Sequence, residues 1–213
     1  ASSVSGRVLV DDGMVTAESF ELKFAGGQFG FNGQMNMHEE SRPFSAKGKV
    51  SNWPLEKVLE QFELDLPITG VLHAAFDLSS SGSTVDVAFR DARGDLDTRI
   101  VNGVIGNRLL DLTGLVLPSW LTSKSAKTGT SQVDCFTASI RFDPGLATVR
   151  TATIETDEVV VTAQGKIDFA NNTIDIQAQP KALSPNLIPI VSPFAIEGSF
   201  ADPKVVVKGG VAG

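Results

Sequence analysis

Apolar and polar residues alternate along most of this chain, and a period of two dictates strands with one face turned to an apolar environment. Phe20, Leu22 and Phe24 point one way, with Glu21 and Lys23 between them. Phe29, Phe31, Met35 and Met37 share a parity, with Gly33 among them. Leu72, Ala74, Phe76 and Leu78 alternate with Val71, His73, Ala75 and Asp77. Val85, Val87 and Phe89 alternate with Asp86 and Arg90, and Phe136, Ala138, Ile140 and Phe142 with Thr137, Ser139 and Arg141. Val159, Val161, Ala163, Gly165, Ile167 and Phe169 form another such face, and Ile174, Ile176 and Ala178 follow. The opening run from Ser5 to Val10 also reads as a strand.

Turn residues separate these runs: Asp12-Gly13, Gly26-Gly27, Ser81-Gly82, Asp143-Pro144-Gly145 and Asn171-Asn172. Asn and Gly supply the positive φ that tight hairpins need. Strands joined by short turns predict an all-β fold, an antiparallel sheet that is curved and open or partly closed. A closed sandwich or barrel is the alternative.

Two segments break the period. Leu55, Val58, Leu59 and Phe62 recur at helical spacing, with Asn52 placed to cap and Pro54 in a first turn, which predicts a helix near 53–63. Leu109, Leu112, Leu115 and Val116, closed by Pro118, suggest a second near 108–117. The polar stretch 122–131 reads as a loop, and Pro180, Pro185, Pro189 and Pro193 as an irregular crossing that breaks strand pairing.

Composition narrows the function classes. The chain has 213 residues, 42% of them hydrophobic and 20% charged, a globular balance. Its net charge of −7, with no basic run, disfavours nucleic acid, because phosphate affinity comes from Lys and Arg. Cys135 is the only cysteine, so no internal disulfide or cysteine-based zinc site can form. No stretch reaches the ~20 apolar residues of a membrane span. Lacking a leader and opening on a strand, the chain reads as one domain, 1–213, cut from a longer protein, so that any anchor or signal would lie upstream.

Catalytic patterns are missing. His38, followed by Glu39-Glu40, sits in a loop, and His73 on the polar side of a strand, too few ligands to predict a metal. The acidic pairs Asp11-Asp12 and Asp157-Glu158 fall at turns. Asp91, Asp95 and Asp97 around Gly94 lack the spacing and final Glu of a calcium loop. Gly26-Gly27-Gln28-Phe29-Gly30 lies between strands, the wrong context for a dinucleotide fingerprint. No nucleophile elbow occurs. No enzyme and no cofactor is predicted.

Ordered motifs from Trp53 to Lys208 carry a resemblance. The helical Trp53-Pro54-Leu55-Glu56-Lys57-Val58-Leu59 precedes Gly70-Val71-Leu72-His73-Ala74-Ala75-Phe76-Asp77-Leu78. Ala92-Arg93-Gly94-Asp95-Leu96 leads to Val101-Asn102-Gly103-Val104-Ile105-Gly106, although Thr98-Arg99-Ile100 stands where an aromatic is usual. Phe142-Asp143-Pro144-Gly145-Leu146, Gly165-Lys166-Ile167-Asp168-Phe169 and Ile196-Glu197-Gly198-Ser199-Phe200-Ala201-Asp202-Pro203 follow. Together they resemble the C-terminal region of the AsmA family of bacterial envelope proteins. The resemblance implies a long sheet bent into a groove with an apolar interior. It also implies an inner-membrane anchor, extension through the periplasm, and phospholipid traffic toward the outer membrane.

On that basis the candidate groove residues are Phe20, Leu22, Phe24, Phe29, Phe31, Met35, Met37, Phe76, Phe89, Phe136 and Phe142. Thirteen Phe and no Tyr favour hydrocarbon over hydrogen bonding on such a face. The plain alternative is an ordinary core. The expected partner is phospholipid. The other function class is an assembly module that docks an envelope protein through a sheet edge.

Overall fold

In the computed structural model, residues 2–61, 68–82, 84–106, 130–156, 159–183 and 192–208 are described. They form β1 (Ser3–Asp11), β2 (Met14–Phe24), β3 (Gly27–Asn36), β4 (Phe44–Pro54), α1 (Leu55–Gln61), β5 (Ile68–Ser80), α2 (Val85–Arg90), β6 (Arg93–Gly106), β7 (Thr130–Asp143), β8 (Leu146–Glu155), β9 (Val159–Asp168), β10 (Thr173–Ala182), β11 (Phe194–Ser199) and β12 (Asp202–Val207). The strands make one 12-stranded sheet in strict sequence order, each antiparallel to the next. β1 and β12 are its two edges. The sheet is therefore open, and the closed sandwich or barrel is ruled out.

Short turns produce that order. Asp12 and Gly13 adopt φ of 40° and 71°, and Ala25 and Gly26 adopt 50° and 87°. Successive positive φ values give the turn whose twist matches a hairpin's strands.

Bulges then adjust the register, among them those between Ala17 and Phe20, Val50 and Trp53, and Val149 and Ala152. Each adds a residue on one strand, bends it and increases the twist. Each also keeps the apolar parity. Ala17 and Phe20 are three residues apart, yet they pair with Gly33 and Phe31, which share a face.

Several local expectations are corrected. Asn52 is not a helix cap: it is a bulge residue of β4 at φ 54°, and Trp53 and Pro54 still pair with Leu72 and Val71. The helix starts at Leu55. Val85–Arg90 is a helix rather than a strand. Thr84 is extended, and its side chain accepts the Val87 N–H at 3.4 Å, which is N-cap geometry. Pro180 does not end strand pairing; it continues β10 opposite Val161. Pairing of β10 with β11 stops at Ala178, so the proline lies beyond one of its two ladders. Thr130 and Ser131, read as loop, begin β7. Phe62, the 108–117 helix, the rest of the 122–131 loop, Pro185, Pro189 and the Asp157-Glu158 pair lie outside the described residues.

Few side chains are fully enclosed. Val159, Val161, Ala178 and Phe194 form the buried cluster, with Ala163, Ile196 and Val205 packed on it. α1 packs on β4 and β5.

Candidate functional site

Because directly paired residues of an antiparallel sheet point to the same side, the register fixes what each face carries. Phe20 pairs with Phe31, which pairs with Gly48, then Phe76, Leu96 and Ile140. The line continues through Val149, Gly165, Ile176, Ile196 and Val205. Every member from β2 to β12 is apolar or glycine. A neighbouring line runs from Leu22 through Phe29, Val50 and Ala74 to Thr98, Ala138, Ala152, Ala163, Ala178 and Phe194. Its one polar member, Thr98, turns its hydroxyl back to the His73 carbonyl at 3.4 Å. From Ala74 to Ala178 this line holds only small side chains. It forms a low strip about 24 Å long at the usual strand spacing, between the Phe76–Ile176 line and a third through Leu72, Ile100, Phe136, Ile154 and Val161.

The first strands concentrate aromatics on this face. Phe31 lies 5.0 Å from Phe20 and 5.3 Å from Phe29, and Phe29 stacks on Trp53 at 5.9 Å and on Phe76 at 6.1 Å. Gly48 makes room for them. A Cβ there would fall 2.7 Å from both Phe31 Cβ and Phe76 Cζ, and closer still to the Gly30 carbonyl oxygen. Phe20, Phe31, Phe76, Leu96 and Ile140 are all half-buried, neither sealed nor fully exposed.

The opposite face is charged. Lys47, Asp77, Asp95 and Arg141 follow one another across β4 to β7, and Lys166, Asp175, Glu197 and Lys204 across β9 to β12. Lys47 Nζ lies 2.7 Å from Asp77, whose hydrogen bond and charge hold the Lys47 amine above its ordinary value. Arg141 and Arg150 reach Asp95 at 2.7 and 2.8 Å. A hollow of about 580 Å³ is edged by Glu21, Lys47, Lys49, Asp77, Asp95 and Asp97, of which Asp77 and Asp95 are ion-paired.

Of the predicted groove residues, Phe20, Leu22, Phe29, Phe31, Met35, Phe76, Phe136 and Phe142 share the apolar face by register, and Phe24 joins them opposite Gly27 at the rim. Two were misplaced. Met37 lies past the end of β3 and is 46% exposed. Phe89 is on α2, 58% exposed, its ring edge-on to Phe169 at 6.3 Å. The face also includes Trp53, Leu72, Leu96, Ile100 and Val149, which strand parity alone identifies once the bulges are known.

At one end of the strands a cavity of about 610 Å³ lies between the apolar face and α2, lined by Phe44, Leu78, Leu96 and Phe142 from the sheet and by Ala88, Phe89 and Ala92. His38 belongs to the turn region, where its Nε2 contacts the Asp12 carbonyl at 2.6 Å. Among the described residues no three His, Cys, Asp or Glu converge as a metal site, and no helix is long and apolar enough to cross a membrane.

The chain matches a family model and a curated protein. The family model described as AsmA family matches residues 2–152. The AsmA family protein YhjG of Escherichia coli (strain K12) is 19% identical over 211 residues, which cover 98% of this chain and 30% of that protein. The chain thus spans about a third of that relative's length. No solved structure matches.

Proposed function

The chain belongs to the AsmA family, and from that premise we propose that it is a non-catalytic periplasmic segment that binds or guides phospholipid acyl chains between inner and outer membrane. The observation that carries this reading is the unbroken apolar register from β2 to β12 on an open sheet, backed by a charged face. A hydrocarbon tail needs no polar anchor: each methylene withdrawn from water contributes about 0.8 kcal/mol. The lane is large enough. From Leu72 to Ser80 it measures about 27 Å along β5, against roughly 15 Å for one leaflet's half of a ~30 Å hydrocarbon core. The polar side keeps the assembly in water while the tails are shielded. A parent protein anchored in the inner membrane would hold the segment in place.

The test is lipid retention. Phe31→Glu or Phe76→Glu puts a carboxylate in the lane, and either variant should lose bound phospholipid in native mass spectrometry while circular dichroism still reports the sheet. Phospholipid kept by both folded variants, or none bound by the unmodified chain mixed with phospholipid vesicles, would overturn the proposal.

A second reading rests on β1. All nine of its residues are exposed, with Val4 at 64%, Val8 at 60% and Val10 at 72%. Such an edge accepts an added strand from an envelope partner protein. Specific binding of a protein that Val8→Lys abolishes, with no lipid on the chain, would favour it.

A further inference from the structure

We propose that the cavity beneath α2 receives the methyl end of the acyl chain, so that α2 is a fixed roof over the tail's terminus. This rests on the reading of the apolar face as an acyl-chain surface, and it adds an orientation to it.

The roof is fastened at its margins by polar bonds. Ser80 Oγ donates to the Ala88 carbonyl, and Ser81 Oγ donates to Asp91 at 2.5 Å. Asp91 is paired with Arg93 at 3.1 Å. On the far side the Gly145 N–H donates to the Arg90 carbonyl at 2.6 Å. These bonds hold the short helix at the rim, while its Ala88 and Phe89 and the following Ala92 face a space of about 610 Å³. The small Ala88 and Ala92 leave that space open, where larger side chains would fill it.

The lining selects hydrocarbon over a headgroup. Among the described residues Ser79, Ser80 and Thr84 border the cavity, and the hydroxyls of Ser80 and Thr84 are engaged within the protein, with the Ala88 carbonyl and the Val87 N–H. None of the described side chains that line it is charged. An apolar cavity of about 150 Å³ accommodates benzene, so this larger one has room for at least about ten chain carbons. It continues the lane rather than standing apart, since Leu78, Leu96 and Phe142 belong to the same sheet face as Phe76 and Ile140. The partly exposed Phe89 ring stands at the mouth.

The experiment uses the 213-residue chain and two fatty-acid photoprobes, one with a diazirine at the methyl end and one with it beside the carboxyl. Peptide mapping after irradiation should place the methyl-end label on Val85–Arg90 or Phe142 and leave that region unlabelled by the other probe. Methyl-end label confined to other parts of the apolar face, or carboxyl-end label on α2, overturns the orientation while leaving the acyl lane standing. No label on the apolar face from either probe overturns both. A phospholipid with the same terminal diazirine on one chain distinguishes a membrane-lipid tail from a free fatty acid; label on α2 from either supports the roof. As an independent check, Ala88→Trp should fill the cavity. Each methylene expelled lowers affinity about fourfold, so long chains should lose more than tenfold while short chains bind as before. Equal affinity for long chains in a folded Ala88→Trp variant overturns the proposal.

Discussion

Asp77 and Asp95 stand directly opposite each other on β5 and β6, two carboxylates at paired positions of the sheet. Facing like charges destabilise a ladder, and here each is answered from its other side. Lys47 holds Asp77 at 2.7 Å, and Arg141 holds Asp95 at 2.7 Å. The same order of signs recurs as Lys166, Asp175, Glu197 and Lys204. A charged face can therefore remain paired across many strands and still repel hydrocarbon.

Arg141→Ala should lower stability by about 1 kcal/mol, a value kept small because Arg141 and Asp95 are 41% and 39% exposed and screened by solvent. Part of that loss reflects the facing carboxylates, which Arg150 at 2.8 Å from Asp95 still offsets in the variant. Asp95→Asn should therefore recover only part of it. A double-mutant cycle in urea checks this: additive losses would show that the pairing contributes nothing.

Gly48→Ala should cost about 2 kcal/mol, in the range for forcing atoms into a packed site. The added carbon meets the Phe76 ring tip, which can turn aside, and the Gly30 carbonyl and Phe31 Cβ, which cannot yield without moving a strand. Urea denaturation measures the loss. The neighbouring Ala46→Gly, where a methyl is removed rather than added, should not reproduce the ring shifts that NMR of Phe31 and Phe76 would show for Gly48→Ala.

The strand order and most of the apolar face were legible in the sequence because period two survives wherever one side is shielded. Phe136, Ala138, Ile140 and Phe142 show this over a full strand. The register was not legible, because it depends on bulges. Ala17 with Phe20, and Val149 with Ala152, share a face across odd spacings that simple alternation assigns to opposite sides. Asn52 had the chemistry of a cap, but it uses its tolerance of positive φ to bend β4. In the Val85–Arg90 segment six residues were too few to distinguish the two periods, and the hydroxyl of Thr84 decided for the helix. That one element makes the cavity, which therefore could not be foreseen from alternation.

Trp53→Phe should leave stability unchanged or raise it slightly. The ring stacks on Phe29, and Phe keeps that contact. The indole Nε1 is enclosed without a hydrogen-bond partner among the described residues, and an unsatisfied buried donor costs about 1–3 kcal/mol. Trp53→Ala should instead lose roughly 2 kcal/mol, reduced from the usual range for aromatic truncation because the residue is only half-buried. Thermal unfolding of the two variants separates ring packing from the polar group; a clear loss in Trp53→Phe would mean that the N–H has found a partner.

Acid should loosen α2 before the rest of the sheet. The Ser81 hydroxyl, and then Arg93, hold the Asp91 carboxyl below its ordinary value of 3.8. A carboxyl whose value is lowered by folding contributes stability that is complete above its unfolded value and is lost as pH falls through the lower folded one. Protonation therefore releases the Ser81 and Arg93 contacts at the helix end. Asp168 is also lowered, by Asn171, and it braces the turn between β9 and β10, whose Phe169 meets Phe89 of α2, so Asp168→Asn is the control that separates its effect from that of Asp91. NMR of the α2 amides during acid titration should show them moving together below pH 3.8. In Asp91→Asn they should already occupy the loosened state at neutral pH and no longer respond to acid in that range. Unchanged α2 shifts in Asp91→Asn would show that the Gly145 and Ser80 bonds hold the roof without the carboxylate.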